Sequence, residues 1–233
     1  MKIENNWYTI WNRRNQTGTF KSTLASLIAA DGFDTAYGGI EESAWMEYVQ
    51  HLTAKLEINR DDSIFEVGCG AGAFLYPFYQ QGNPVAGIDY SENLVKIAKD
   101  TMPKVAISVG EAIDISGKSQ FNVVLSNGVF LYFPNYDYAG DVLQSMVKIA
   151  KKSIGIFEIP DLGKKQEALK MRKGMIGDAE YEEKYRGLDH LYFSKDWFQE
   201  VLAAEGVRVK IEDQDIPGYG NSQYRFNVFI YKI

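Results

Sequence analysis

The chain has 233 residues, enough for one large domain with a substantial core, and its apolar content of 45% is that of an ordinary globular protein. With Lys and Arg totalling 25 against 31 Asp and Glu, the formal net charge is −6, so no global positive field is available to hold a nucleic-acid backbone. The lone cysteine, Cys69, has no internal disulfide partner, the first residues lack the apolar core of a signal peptide, and no apolar run reaches the roughly 20 residues that span a bilayer; a cytoplasmic protein is expected, with neither nucleic acid nor membrane as partner.

In chain order, residues 1–60 predict helices: WYTIWNRR, FKSTLASLIAA and EESAWMEYVQHLTAKLEI, the last with Trp45, Val49, Leu52 and Leu56 near helical spacing. The pattern then changes. SIFEV (63–67) predicts a strand, followed by a Gly-rich turn and the helix AFLYPFYQQG. PVAGID (84–89) predicts a second strand, and SENLVKIAKD a helix capped by Ser91. KVAISVG (104–110) and FNVVLS (121–126) predict the third and fourth strands, YDYAGDVLQSMVKIAKK a helix, and SIGIFEI (153–159) a fifth strand. Apolar strands alternating with helices predict an α/β fold with a mostly parallel sheet covered on both faces. The Lys- and Glu-rich stretch 160–191 interrupts this alternation and predicts a small cap, so the chain divides into a helical lid segment (1–60) and a main domain (61–233). SKDWFQEVLAAEGV restores a helix, with Ser194 as its cap and Gly206 as its stop. VRVKIEDQDI and SQYRFNVFIYKI then predict two strands whose link is too short for a helical crossover, hence antiparallel.

The chemistry is carried by the first strand-to-helix turn, Glu66-Val67-Gly68-Cys69-Gly70-Ala71-Gly72-Ala73-Phe74. Glycines there permit positive φ and close approach of a ligand, and the following helix aims free N–H groups and its positive dipole end into the crevice. Gly68, Gly70 and Ala73 also satisfy the dinucleotide fingerprint, so the motif alone leaves a nicotinamide enzyme open. Asp89 ends the second strand, where an acid accepts both ribose hydroxyls. Glu111 follows the third strand, where a carboxylate and a neighbouring amide read an adenine edge, and Ser126-Asn127-Gly128 ends the fourth at the same rim.

The runs FEVGCGAGAF, GIDYSENLVKIAKD, GEA and FNVVLSNGVFLYF resemble the class I, Rossmann-like S-adenosylmethionine-dependent methyltransferases over about residues 60 to 160. The resemblance implies a seven-stranded sheet of order 3-2-1-4-5-7-6 with an antiparallel last strand. It implies S-adenosyl-L-methionine as cofactor, with S-adenosyl-L-homocysteine as product. It places Gly68, Cys69, Gly70 and Gly72 along the methionyl and ribose part, with Glu66 as the acid before the glycines. It places Asp89 on the ribose and Tyr90 beside the adenine, Glu111 and Ala112 at the adenine edge, and Ser126 and Asn127 near the sulfonium. Glu111 stands where Asp is commoner in the family, which lengthens the arm.

On the acceptor side, His190 in GLDHLYFSKDWF follows the cap and is the expected general base, since its unperturbed pKa is near 6.5; His51, in a helix, reads as structural. Trp7, Tyr8 and Trp11 are expected to close over the cofactor, Tyr37 to reach its carboxylate, and Tyr132 to wall the pocket. Arg14 and Arg225 are expected at the acceptor, Arg225 because a guanidinium in so apolar a strand either pairs or grips an anion. The expected function is methyl transfer to an O or N nucleophile of a small, anionic molecule, by a monomer or homodimer. An NAD-dependent oxidoreductase is the competing reading. A non-catalytic S-adenosylmethionine-binding protein and an enzyme acting on RNA or protein are further ones.

Overall fold

The computed structural model describes residues 6–14, 20–35, 38–117 and 119–233. Three helices come first: α1 (Asn6–Asn12), α2 (Thr23–Ala30) and α3 (Glu42–Lys55). The alternating part runs β1 (Ile64–Val67), α4 (Tyr76–Gln81), β2 (Val85–Asp89), α5 (Glu92–Thr101), β3 (Ala106–Val109), β4 (Phe121–Asn127), α6 (Tyr136–Ile149) and β5 (Ala150–Pro160). Two cap helices follow, α7 (Lys165–Ile176) and α8 (Asp178–Lys184), then α9 (Lys195–Leu202), β6 (Val207–Asp213) and β7 (Arg225–Lys232).

The strands form one sheet of order β3-β2-β1-β4-β5-β7-β6. Its first five strands are parallel, whereas β7 runs antiparallel to both β5 and β6. All four residues of β1 are buried, as a central parallel strand requires. One face of the sheet packs Ile64, Leu125 and Phe157 against α3 and the residues after the glycine turn, including Trp45 and Phe74. The other packs Val124, Ile154 and Ile156 against Leu143, Met146 and Phe198 of α6 and α9. Leu24, Leu27, Trp45 and Leu52 belong to the first of these clusters, so α2 and α3 share the core of the sheet.

Local sequence fixes where the helices begin. Ser91, Asn135 and Ser194 accept backbone N–H bonds from Leu94, Tyr138 and Trp197 at 3.3, 2.9 and 3.2 Å. Two of the boundaries that differ from the sequence expectation have a clear local cause. The helix after the glycine turn becomes regular only at Tyr76, with Pro77 in its first turn, where a missing N–H costs nothing. And α6 ends at Ile149 rather than Lys152, because Ala150 already pairs with Phe121 in the sheet.

The segment between β5 and α9 is tied at its base: Phe193 N–H donates to the Pro160 carbonyl at 2.9 Å and Leu191 N–H to the Leu131 carbonyl at 2.8 Å. The cap therefore rises as a loop-out from the carboxyl end of the sheet. Helix α1 bridges the same rim. Trp7 Nε1 donates to the Asp189 carbonyl at 3.0 Å on the cap side, and Ser91 Oγ donates to the Trp11 carbonyl at 3.1 Å on the α5 side. Among the described residues no helix is long and apolar enough to cross a membrane.

Candidate functional site

At the carboxyl ends of β1, β2, β4 and β5, under α1 and the cap, lies a cavity of about 660 Å³. That is a volume suited to a small organic ligand. Gly68 and Gly70 turn the chain out of β1 with φ of 72° and 51°. A Cβ on Gly68 would stand 2.4 Å from Val129 Cγ2, and one on Gly70 2.2 Å from Asp31 Oδ1, so only glycine fits. Asp89 holds this loop from β2: its Oδ2 accepts Gly70 N–H at 2.9 Å and its Oδ1 accepts Ser91 N–H at 2.8 Å.

A second acid arrives from the N-terminal helices. Asp31, at the end of α2, accepts Ala71 N–H at 2.6 Å and Ala73 N–H at 3.0 Å, so it caps the backbone after the glycines. Glu66 completes the group, 2% exposed, and its Oε2 has no hydrogen-bond partner. Burial raises all three acids: Asp31 to about 7 and Asp89 to about 6, with Glu66 pushed up further by Asp31 and Asp89. Three carboxyl groups around a water-poor glycine loop favour a ligand bearing positive charge and hydroxyl donors. The sulfonium, α-ammonium and ribose hydroxyls of S-adenosylmethionine supply both, so these residues fit that group.

The flank toward β3 is aromatic and polar. Tyr90 lies 5.4 Å, centroid to centroid, from Tyr8 of α1. Glu111 and Asp114 cap each other's backbone at the 3-10 turn Ala112–Ile115, which commits the Glu111 carboxylate to shaping the loop as well as lining the cavity.

The far end of the cavity carries a different set. Glu158 sits where the β5–β7 register breaks between Ile156 and Ile159, with φ of 62°. That conformation is uncommon outside glycine, and the bulge turns its side chain into the cavity. Tyr219 donates its hydroxyl to Glu158 Oε1, and Arg225 Nε stands 3.2 Å from the same oxygen, leaving Oε2 without a partner. Trp7 stacks on the His190 ring at 4.8 Å and 11°, while Tyr132 meets both edge-on. Arg172 of α7 lies 3.0 Å from His190 Nδ1. A guanidinium only donates, so Nδ1 is the acceptor and the neutral ring carries its proton on Nε2. Burial, then Arg172 and Arg225, hold His190 well below its usual range.

The predicted positions Glu66, Gly68, Cys69, Gly70, Asp89, Tyr90, Glu111, Ala112 and Asn127 all line this cavity, as do Trp7, Trp11, Arg14, Tyr132, His190 and Arg225. Gly72 does not: its φ is 89° and a Cβ there would meet Met102 Cε at 2.5 Å, so it serves close packing against α5. Ser126 is fully buried outside the cavity, because neighbouring strand residues point to opposite faces and Asn127 takes the inner one. Tyr37 lies outside the described residues. Arg14 is engaged by Asp34 through two bonds of 2.9 and 3.0 Å, and so ties the end of the α1 segment to the chain after α2. His190 is poorly disposed to be a base, since Nδ1 is occupied and the cation is opposed by two guanidiniums. Asp31, Glu158 and Arg172 were missed. An acid inside the apolar run IGIFEIP is the signal that marks Glu158, since carboxylates are rarely fully buried. Asp31 and Arg172 carry no such signal.

The raised acids have a consequence for pH. Asp31 and Asp89 bind protons more tightly in the folded chain than in the unfolded one. Their contribution to stability is therefore full below about pH 4 and is lost as the pH rises through about 6 and 7. Around Asp31 stand the Ala71 and Ala73 amides, Glu66, Asp89 and Arg14. A bound cation relieves this repulsion. The rise in Tm given by S-adenosylmethionine should be greater at pH 7.5 than at pH 5.5, and that difference should shrink in Asp31→Asn. Equal gains at both pH values in the wild-type chain, followed by thermal shift, would contradict this account.

Residues 64–153 match the family of the methyltransferase domain. Enniatin synthase of Fusarium equiseti is 30% identical over 128 residues, which is 51% of this chain and 4% of that protein. Malonyl-[acyl-carrier protein] O-methyltransferase of Priestia megaterium is 27% identical over 103 residues, 42% of this chain and 37% of that protein. The chain thus spans well under half the length of these curated relatives. Among solved structures, magnesium protoporphyrin IX methyltransferase from Synechocystis PCC 6803 with bound S-adenosylhomocysteine aligns with a TM-score of 0.65 at 15% identity, covering 98% of this chain and 96% of that one. A plantazolicin methyltransferase complex aligns at 0.63 and 14% identity over 98% and 99%. These likenesses give the fold, and the antiparallel β7 together with the family match sets the nicotinamide reading aside. Over residues 64–153 the chain matches the methyltransferase-domain family, and its sheet has the Rossmann-like order of the class I S-adenosylmethionine-dependent methyltransferases.

Proposed function

We propose that this chain transfers the methyl group of S-adenosylmethionine to an oxygen or nitrogen of a small molecule held inside the cavity. The observation that carries the reading is the continuity of that cavity. One continuous cavity joins the acid-ringed glycine loop to the polar end around Glu158, Tyr219 and His190, beneath α1 and the cap. A relative and neighbours named as methyltransferases of malonyl-acyl carrier protein, magnesium protoporphyrin IX and plantazolicin support it.

When bound, S-adenosylmethionine supplies an electrophilic methyl on a sulfonium, and the protein is left to align, dry and deprotonate the acceptor. Asp89 would take the cofactor's ribose hydroxyls, while Asp31 and Glu66 would face its positive charge. Tyr90 and Tyr8 would hold the adenine, with Glu111 and Ala112 at its edge. Trp7, Trp11 and Tyr132 wall the acceptor and exclude water; alignment of this kind contributes on the order of 7–11 kcal/mol. Glu158 Oε2 takes the acceptor's proton, and His190 Nε2–H donates a hydrogen bond. Helix α1 and the cap act as the lid that opens for exchange.

The test is calorimetry with S-adenosylhomocysteine and NAD in parallel, followed by labelled S-adenosylmethionine with hydroxylated and amine acceptors. Dissociation constants on the order of micromolar for the first ligand, and none for NAD, are expected. Binding of NAD alone would remove the proposal.

A further inference from the structure

The cavity changes sign along its length. Asp31, Glu66 and Asp89 stand at the glycine loop. At the other end Glu158 is offset by Arg225 at 3.2 Å, which leaves one guanidinium over, that of Arg172. Among the described residues no carboxylate makes an ion pair with Arg172; its partners are neutral, the His190 ring at 3.0 Å and the Tyr181 hydroxyl. A partly buried cation without an acid is costly unless a ligand supplies one.

Resting on the methyltransferase reading, we propose that Arg172 is the specificity-determining residue for the acceptor and binds a carboxylate on a flat, apolar body. The guanidinium is held at the Nδ1 edge of His190, and Trp7 fixes that ring by stacking on its face at 4.8 Å. A planar fork so held matches the two oxygens of a carboxylate. The rings of Trp7, Tyr132 and Tyr181 around it suit a flat apolar body. Arg172 is the partly buried uncompensated cation, while Lys184 lines the cavity from an exposed position; with the Glu158 carboxylate in the same cavity, this favours a monoanion over a phosphoryl dianion. The depressed basicity of His190 agrees, since a neutral imidazole lets Arg172 donate to it and keeps the pair's total charge at one. Arg172 thus takes the role that the sequence suggested for Arg225, whose guanidinium already faces Glu158.

Because Arg172 rides on α7, the acceptor's own charge would also draw the cap toward the sheet, so the residue that reads the ligand would also help close the site. The experiment loads the wild-type chain and Arg172→Gln with S-adenosylhomocysteine, then titrates benzoate, 2-naphthoate, their uncharged amides and phenyl phosphate. In the wild type at least one acid should outbind its amide by about tenfold, and outbind phenyl phosphate. Arg172→Gln should lose that preference while binding S-adenosylhomocysteine as before, and Arg172→Lys should keep part of it. No acid outbinding its amide, a preference that survives in Arg172→Gln, or tighter binding of phenyl phosphate each overturns the proposal. Failure of the wild type to bind S-adenosylhomocysteine overturns the underlying function instead, and that is read in its own titration.

Discussion

Asp89→Ala should weaken S-adenosylhomocysteine binding by about two orders of magnitude. The carboxylate has spare acceptor capacity after its bonds to Gly70 and Ser91 N–H, because two oxygens offer about four lone-pair sites. Two ribose hydroxyls bonding a charged acceptor contribute about 1.5 kcal/mol each at the lower end, so together about 3 kcal/mol, or ~150-fold in affinity. Alanine also frees Gly70 N–H and lets the loop relax, which adds to the loss. Asp89→Asn separates the two effects: it keeps the shape and one acceptor oxygen, and should fall between wild type and alanine. Calorimetry of both variants, with Tm as a check on folding, decides the matter; binding by Asp89→Ala within fivefold of wild type would remove Asp89 from the site.

What the sequence makes legible is whatever repeats locally. The strands and the antiparallel last pair follow from apolar runs and link lengths, the strand order from the family resemblance, and the glycine turn from residues that must adopt positive φ. Asp89 and Glu111 could be placed because one ends a strand and the other comes just after one, and all parallel strands end at the same rim. The failures have a common cause. Ser126 and Asn127 were read together, although the period of two in a strand allows only one to face inward. Gly72 was read with its neighbours, yet its lost side chain makes room for Met102 rather than for a ligand. His190 was expected as a base and lines the cavity, but its tautomer was not legible, because the group that decides it, Arg172, comes from a helix 18 residues away.

Asp31 illustrates the limit more sharply. In the sequence it is an acid after a short helix, and such acids are usually solvated. Its carboxyl group reaches the Ala71 and Ala73 amides, 40 and 42 residues downstream. This contact joins the N-terminal helices to the glycine loop, and a single substitution there bears on both. Nothing in local composition announces a contact of that range.

Glu158→Gln should lower kcat by about 10²- to 10⁴-fold, the range spanned by positioned acid–base groups, while leaving S-adenosylhomocysteine affinity nearly unchanged. The strained φ of 62° and the register break at Glu158 are retained only if surrounding contacts enforce them, and Tyr219, Arg225 and the Asn227 side chain do so. Such enforcement holds Oε2 free within the cavity rather than turned into the sheet. Glutamine keeps the length and an oxygen for Tyr219 and Arg225, but its amide nitrogen cannot take a proton from the acceptor. The substitution also leaves Arg225 buried without a counter-charge, so Tm should drop by several degrees, and Glu158→Asp should recover some stability with less activity than wild type. These readouts separate chemistry from folding: a variant that stays folded, binds S-adenosylhomocysteine and turns over at the wild-type rate would leave Glu158 a structural partner of Arg225 and nothing more. A large fall in kcat at unchanged cofactor affinity would assign the proton to Glu158 and leave His190 as the donor that Arg172 makes it.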